Sequence, residues 1–237
     1  MDFPPAYPHG PVEPFGDDLF LVRGAIDFNR FIRLSRNMAV VRSGAELTLV
    51  NPIRLDEKGL RDLDALGTVR HVMRLGSFHG SDDPFYMDRY KPQFWGQTGG
   101  KRYKTPAIDR ELTEGGELPF PGARLICFSA SLHPESALVL ARGRGVLLTC
   151  DALQTYGDYS NLNWPARLLM PILGFSKSTL IGPLWLKAAT PPGGSLRPDF
   201  ERLLALEFDT MLAAHGTLLK TGAHAAVERA VARAFAK

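Results

Sequence analysis

The chain has 237 residues, 45% of them hydrophobic, so it is long enough to bury a full hydrophobic core. Its 28 basic and 25 acidic residues leave a formal net charge of +3, an excess too small to indicate a nucleic-acid-binding protein. The composition therefore gives no strong nucleic-acid signal and favours a globular protein.

The N-terminus and the most apolar segment bear on where the protein acts. The opening residues, MDFPPAYPHGPVEPFGDD, lack a basic region followed by an apolar one, so we expect no secretory signal. The apolar segment 163–186 is interrupted by Arg167, Lys177 and three prolines, which argues against a transmembrane segment. Cys127 and Cys150 lie in apolar runs, which favours buried thiols over a disulfide. We predict a cytoplasmic protein.

The first half of the chain predicts strands with one early helix. Residues 1–16 are interpreted as an extended N-terminal arm whose turns are set by proline. Leucines at helical spacing behind Asp56, a predicted N-cap, indicate a helix over 56–66. The predicted strands of this half are residues 18–26, 38–43, 46–53 and 69–75.

The second half repeats this pattern. A strand is predicted at 123–130, a hairpin at 136–153, a strand at 208–216 and an amphipathic helix at 222–237. Helices that cover the outer faces of two packed sheets would bury both groups of strands. We therefore expect one domain over residues 1–237.

Histidines and aspartates fall at the ends of these apolar segments. His79 and Asp83 follow the strand 69–75, in the stretch FHGSDDP. The others are His133 in a short loop, Asp151 after GVLLTC, and His215 before a glycine. These side chains can converge if the strand ends share one edge of the sheets, where loops on a rigid scaffold commonly build a site.

The order of these motifs resembles the metallo-β-lactamase fold over about residues 18–225. HGSDDP corresponds to the family's His-x-His-x-Asp-His loop, SLHPES to its third histidine, LLTCDAL to its bridging aspartate, and AAHG to its last histidine. The resemblance is to an uncharacterised bacterial branch with a degraded first motif. It implies an α/β (α+β) fold, a four-layer αββα sandwich with metal ligands on loops at one edge.

The first motif departs from the family pattern. Ser81 stands where the second histidine belongs, and Pro84 where the fourth belongs, while Asp83 matches. A shifted register would put Asp82 at the aspartate position instead. The resemblance thus implies a reduced set of metal ligands, with Asp83 and Asp151 as the catalytic carboxylates. The expected ligands are His79, Asp83, His133, Asp151 and His215.

Imidazole nitrogens and carboxylate oxygens together suit zinc, with iron or manganese as alternatives. One such ion with an open position can lower the pKa of a bound water and polarise a substrate oxygen. We expect a mononuclear metal-dependent hydrolase acting on a small ester, lactone or phosphodiester. Two alternatives stay open, a binding or assembly protein that has lost its metal, and an iron protein with redox chemistry. Asp82 and Asp83 also have a structural interpretation as N-caps of a helix beginning near Pro84.

Two further segments are candidates for binding. Residues 85–104 combine cations with aromatic rings, a pattern typical of phosphate and nucleobase contacts, and would form a lid over the site or an ordinary solvated loop. The expected substrate contacts there are Arg89, Lys91, Trp95 and Lys101. Segment 163–186 would cover a substrate pocket or form a homodimer surface. Its sparse cations argue against a membrane-surface role.

Overall fold

A computed structural model describes residue 3 and residues 5–236. Residues 1, 2 and 4 of the predicted arm, and Lys237 at the end of the predicted C-terminal helix, lie outside the described residues. No helix in the described part of the chain is long and apolar enough to cross a membrane.

The first half of the chain forms a seven-stranded sheet whose strands lie side by side in chain order. Neighbours are antiparallel from the first strand to the fourth and parallel from the fourth to the seventh. The strands are β1 (Glu13–Gly16), β2 (Leu19–Asp27), β3 (Arg33–Ser43), β4 (Glu46–Val50), β5 (Thr68–Met73), β6 (Gln93–Gly96) and β7 (Arg110–Glu111).

The second half forms a four-stranded sheet and a two-stranded one. The larger sheet has the order β13-β10-β9-β8, with β10 parallel to β13 and antiparallel to β9. Its strands are β8 (Ala123–Cys127), β9 (Ser136–Leu140), β10 (Val146–Thr149) and β13 (Thr210–Ala213). The smaller sheet pairs β11 (Leu153–Thr155) with β12 (Thr179–Ile181).

Six helices in the described chain complete the fold. They are α1 (Glu57–Asp64), α2 (Asp83–Tyr90), α3 (Trp164–Ile172), α4 (Pro183–Ala189), α5 (Arg197–Leu204) and α6 (Ala223–Ala234). The Asp56 carboxylate caps α1 by accepting a hydrogen bond from the Gly59 N–H at 2.7 Å. Glycine is favoured at position 59 of α1, because a Cβ there would lie only 2.8 Å from the His9 ring and would clash with it.

Three layers of apolar side chains fix the order of sheets and helices. The two large sheets face each other through residues such as Leu21, Val41, Met73, Leu138 and Leu148. Leu60 and Leu63 of α1 and Tyr86 of α2 cover the outer face of the seven-stranded sheet. Trp185 of α4, Phe200 of α5 and Val227 of α6 cover the outer face of the four-stranded sheet. The predicted four-layer αββα sandwich is confirmed.

The polar beginning of β3 was not predicted from the sequence. That strand starts at Arg33 rather than at residue 38, and it pairs with β2 along its whole length, as far as Asp27 opposite Arg33. Its first residues, RLSRN, alternate too little in hydrophobicity to be recognised as a strand. The short strands β6, β7, β11 and β12, and helix α5, were also not predicted.

One asparagine ties the two sheets together at the edge where the functional residues lie. The Asn51 amide donates to the Thr149 carbonyl at 3.0 Å, and its Oδ1 accepts from the Leu75 N–H at 3.0 Å. Asn51 adopts a φ of 50°, a left-handed conformation that asparagine tolerates better than most residues. The ends of β4, β5 and β10 are therefore held side by side.

Candidate metal centre

Three side chains meet at this edge: His79 after β5, Asp151 after β10 and His215 after β13. The Nε2 atoms of His79 and His215 are 3.0 Å apart. Asp151 faces both rings, with Oδ2 3.4 Å from His79 Nε2 and Oδ1 3.3 Å from His215 Nε2. Sequence positions far apart in the chain thus converge on one group of ligand-type atoms.

The polar start of β3 holds His215 in place. The Ser35 carbonyl can only accept a hydrogen bond, so its 2.6 Å contact makes His215 Nδ1 the protonated nitrogen. The Ser35 hydroxyl accepts from the Gly216 N–H at 2.9 Å, and the Asn37 amide donates to the Gly216 carbonyl at 3.1 Å. His215 Nε2 is consequently the ring nitrogen that faces His79 and Asp151.

Burial sets the charges of the group. Desolvation lowers the pKa of His79 to about 4, although the neighbouring Asp151 opposes this shift. Burial alone would raise the pKa of Asp151, but contact with His79 and His215 outweighs it and lowers that pKa. At neutral pH the group therefore contains an ionised carboxylate and a neutral His79 imidazole, the protonation states that metal ligands require.

The spacing of the three side chains fits a single metal ion. Atoms bound at roughly 2.0–2.2 Å to one tetrahedral zinc ion lie about 3.3–3.6 Å apart. The contacts of 3.0, 3.3 and 3.4 Å are close to that range. Two histidines and one carboxylate serve as a ligand set for catalytic zinc and for non-haem iron.

Arg36 holds the positions that depart from the family's first motif. Its Nη1 donates to the Ser81 hydroxyl at 3.1 Å and lies 3.3 Å from the Asp82 carboxylate, and its Nη2 donates to the Pro52 carbonyl at 3.0 Å. The side chains of Arg36 and Asp82 are both almost fully buried. Asp82 occupies the N-cap position of α2 but makes no capping hydrogen bond, because its carboxylate faces Arg36.

Asp83 is held by a second buried arginine. The Arg74 Nε donates to Asp83 Oδ2 at 2.6 Å, and the rest of that guanidinium donates to the carbonyls of Tyr103 and Thr105. Asp83 is 1% exposed and belongs to no group of converging ligand atoms in the described chain. Asp83 therefore faces Arg74 and not the group formed by His79, Asp151 and His215.

His133 also lies outside the group. Its ring packs against Phe78 with centroids 4.8 Å apart, and its backbone N–H and carbonyl both bond to the Ser131 hydroxyl. The residue is half-buried and belongs to no converging ligand group of the described residues. Of the five ligands expected from the sequence, the structure brings His79, Asp151 and His215 together.

A second group of ligand-type atoms, Glu135, Cys150 and Asp151, lies fully buried behind the first. Glu135 Oε1 accepts from the Ala152 N–H at 2.8 Å, while its Oε2 has no partner. Burial raises the pKa of Glu135 well above its usual value, with Asp151 adding to the shift, and burial likewise raises that of the Cys150 thiol. Burial thus disfavours the charged forms of both groups, which are the forms that bind a metal, so this cluster suits a metal less well than His79, Asp151 and His215 do.

Three of the four expected substrate contacts have other roles. Arg89 lies 3.5 Å from Asp64, and Lys91 pairs with Asp88 at 2.9 Å. Trp95 is buried between the sheets, and its Nε1 donates to His71 Nδ1 at 3.1 Å. Lys101 is exposed.

The segment after β6 instead forms one wall of a cleft of about 480 Å³. Gly99 and Gly100 lie against Pro134 and Ser77, where an added Cβ would make contacts of 3.6 and 3.3 Å. The opposite wall therefore belongs to the segments that lead into His79 and Glu135. Polar lining is provided by Arg74, Ser77, Gln97, Tyr103 and Lys104.

Comparison with solved structures identifies the fold. The metallo-β-lactamase FIM-1 from Pseudomonas aeruginosa, in its mono-zinc form, is 10% identical with a TM-score of 0.60, over 98% of this chain and 99% of that one. A metallo-β-lactamase from Erythrobacter litoralis is 10% identical with a TM-score of 0.57, over 93% of this chain and 89% of that one.

The chain has the metallo-β-lactamase fold. A flavo di-iron protein from Thermotoga maritima shares it, with 12% identity and a TM-score of 0.64 over 95% of this chain, which spans 62% of that longer protein. No protein-family model and no curated protein matches the sequence. The fold is therefore shared with metalloproteins whose sequences have diverged almost completely.

We predict that Asp83→Ala lowers the free energy of unfolding by about 3–5 kcal/mol, because it leaves the Arg74 guanidinium buried without its counter-charge. Urea denaturation followed by circular dichroism measures this. The matched control is Asp62→Ala, which removes the carboxylate of an exposed pair with Lys58 and should cost less than about 1 kcal/mol. Equal losses in the two variants would contradict the structural role assigned to Asp83.

A second prediction concerns the pH dependence of the chelator-treated protein. Because the pKa of His79 falls from 6.5 to about 4 on folding, the unfolded chain binds one more proton between these pH values. Stability from His79 is therefore present above pH 6.5 and is lost as the pH falls toward 4. Between pH 4 and 6.5, the free energy of unfolding should rise with pH more steeply for the wild type than for His79→Gln. The expected difference between the two slopes is about 1.4 kcal/mol per pH unit. Parallel curves would contradict a neutral, desolvated ring.

Proposed function

We propose that the protein is a metal-dependent hydrolase whose single metal ion is held by His79, Asp151 and His215. The observation that carries the proposal is the convergence of two imidazole nitrogens and a carboxylate within 3.0–3.4 Å of one another at the loop edge of the sandwich. The spacing and the ionised state of Asp151 both support a metal rather than a purely structural polar cluster. Zinc is the expected ion, with iron or manganese as alternatives.

The arginines next to the site support one ion rather than two. Arg36 donates to the Ser81 hydroxyl and to one oxygen of Asp82, and Arg74 donates to one oxygen of Asp83, in the segment that would supply further ligands. Each of the two aspartates faces a guanidinium, so the segment has no net negative charge that would attract a second cation. The positive charge that balances Asp82 and Asp83 thus comes from the protein itself.

The chemistry follows from the ligands. A bound ion of this kind lowers the pKa of a coordinated water and polarises the substrate oxygen. His215, fixed by the Ser35 carbonyl, and the buried His79 keep their Nε2 atoms oriented toward the site. Asp151 has an oxygen directed at each ring, so its ionised carboxylate would complete the ligand set together with the two histidines.

The cleft beside the loop 97–108 is the proposed substrate site. It is lined by Gly76, Ser77 and Lys104, and it approaches the metal group through the segment that leads to His79, although none of the three ligands lines it. A cation at that position would attract a carboxylate or phosphate group on the substrate. We therefore propose a small ester, lactone or phosphodiester that carries an anionic group.

The test is elemental analysis of protein purified without added metal or chelator. We predict about one zinc, iron or manganese ion per chain in the wild type and less than about a tenth of that in the Asp151→Ala/His215→Ala variant. His79→Gln should also lose metal, because it removes one of the three ligands. A panel of ester, lactone and phosphodiester substrates then measures hydrolysis by each variant.

His133→Gln is the matched control, since it changes a histidine on the same edge that packs against Phe78 rather than joining the ligand group. It should keep its metal and its activity. Loss of metal in this variant as well as in His79→Gln would contradict the three-residue ligand set. A correctly folded wild type that takes up none of the three metals would overturn the proposed hydrolase.

A further inference from the structure

Helix α3 exposes its more apolar face. Trp164, Leu168 and Ile172, spaced four residues apart on one side of the helix, are 74%, 64% and 81% exposed. The side packed against the protein carries the smaller Ala166 and the flexible Met170. A helix of a globular protein normally buries its apolar stripe, so this arrangement indicates a surface that is covered by a partner.

The exposed apolar face continues beyond α3 on both sides. At its N-terminus, the Asn163 amide donates to the Phe31 carbonyl at 2.8 Å, which joins α3 to the tip of the β2–β3 hairpin. Beyond its C-terminus, Gly174 lies against Pro183 at the start of α4, where an added Cβ would be 3.3 Å from the proline ring. We define the apolar surface by its exposed side chains, Phe28, Phe31, Trp164, Leu168, Ile172 and Leu184.

The segments that form the apolar surface carry cations and no carboxylates, and the acidic residues nearest to them in sequence are Asp27, which pairs with Arg33, and Asp158. Residues 28–45 and 159–198, which form the hairpin tip, α3 and α4, contain no aspartate or glutamate. Arg30, Lys177 and Lys187 are exposed there, and none of them forms a salt bridge in the described chain. The Arg30 guanidinium lies 5.5 Å from the centre of the Phe31 ring, so cation and apolar groups are presented together.

We propose that the apolar surface docks on an anionic lipid bilayer. Aromatic and aliphatic side chains can enter the boundary between headgroups and acyl chains, while the surrounding lysines and arginines contact lipid phosphates. A second copy of the chain is a poorer partner, because a symmetric contact would bring the same cations face to face. The sparse cations that argue against this role concern segment 163–186 alone, to which the hairpin adds Arg30.

The start of β3 connects the apolar surface to the metal site. From Phe31 the chain runs along β3 to Ser35, whose carbonyl holds His215. Four residues of strand span about 13 Å, so a docked apolar surface would bring the metal group close to the lipid headgroups. Docking itself requires none of the metal ligands, so it can be tested independently of the proposed hydrolase.

The experiment is co-sedimentation of the full chain with vesicles of phosphatidylcholine alone or mixed with phosphatidylglycerol. We expect binding to the mixed vesicles that weakens with added salt. Leu168→Glu/Ile172→Glu should reduce the partition coefficient at least about tenfold, because two apolar anchors become charged. Arg30→Ser/Lys187→Ser should reduce the partition coefficient about fivefold or more for each cation removed, because each loses its attraction to the anionic headgroups.

The matched control is Ala225→Glu/Ala232→Glu, which adds the same charges at exposed positions of α6, outside the apolar surface. It should bind almost as the wild type does, with circular dichroism verifying the fold of every variant. Failure of the wild type to bind the anionic vesicles, or equal loss in this control, would overturn the proposal. Light scattering without lipid measures the oligomeric state and so tests the alternative partner, a second copy of the chain. A stable dimer that is abolished by Leu168→Glu/Ile172→Glu would assign the surface to that second copy and overturn the proposal.

Discussion

Two buried arginine–aspartate contacts hold the segment between β5 and α2, and the arrangement of the site depends on them. Arg36 faces Asp82 and Arg74 faces Asp83, all four side chains being nearly inaccessible to solvent. Removing such charges from water is costly unless each is paired and hydrogen-bonded, and both guanidiniums also donate to backbone carbonyls. The segment that carries His79 is thereby fixed, and its two aspartates are already neutralised.

The edge of the sandwich is consequently divided into two parts. In one part, arginines balance the charges of Asp82 and Asp83. In the other part, an ionised Asp151 lies between two imidazoles whose Nε2 atoms face each other. Only the second part offers ligand atoms that a cation would satisfy. The same β3 segment supplies both Arg36 for the first part and the Ser35 carbonyl for the second, so a single short strand region organises the whole edge.

The fold and part of the site follow from the sequence, because apolar strand runs and the order of the motifs depend on local pattern. The sequence analysis placed His79, Asp151 and His215 at strand ends, which lie together in the structure. It could not show that Asp83 pairs with Arg74, since the two residues meet only through the bend after β5. Arg74 did leave a signal, because an arginine directly after a largely apolar strand requires a buried partner, whereas Arg36 lies in the polar start of β3 that was not predicted as a strand. Glu135 gave a weaker signal in the sequence, because a glutamate in a short polar loop is usually exposed to solvent.

The central claim is that one metal ion binds to three residues, and anomalous X-ray diffraction from crystals of the metal-loaded protein tests it most directly. Data collected on both sides of the absorption edge of the bound metal locate the ion without relying on activity or on variants. The account predicts a single anomalous peak bounded by His79, Asp151 and His215. A second peak beside Asp82 or Asp83, with Arg36 or Arg74 displaced from its carboxylate, would contradict it.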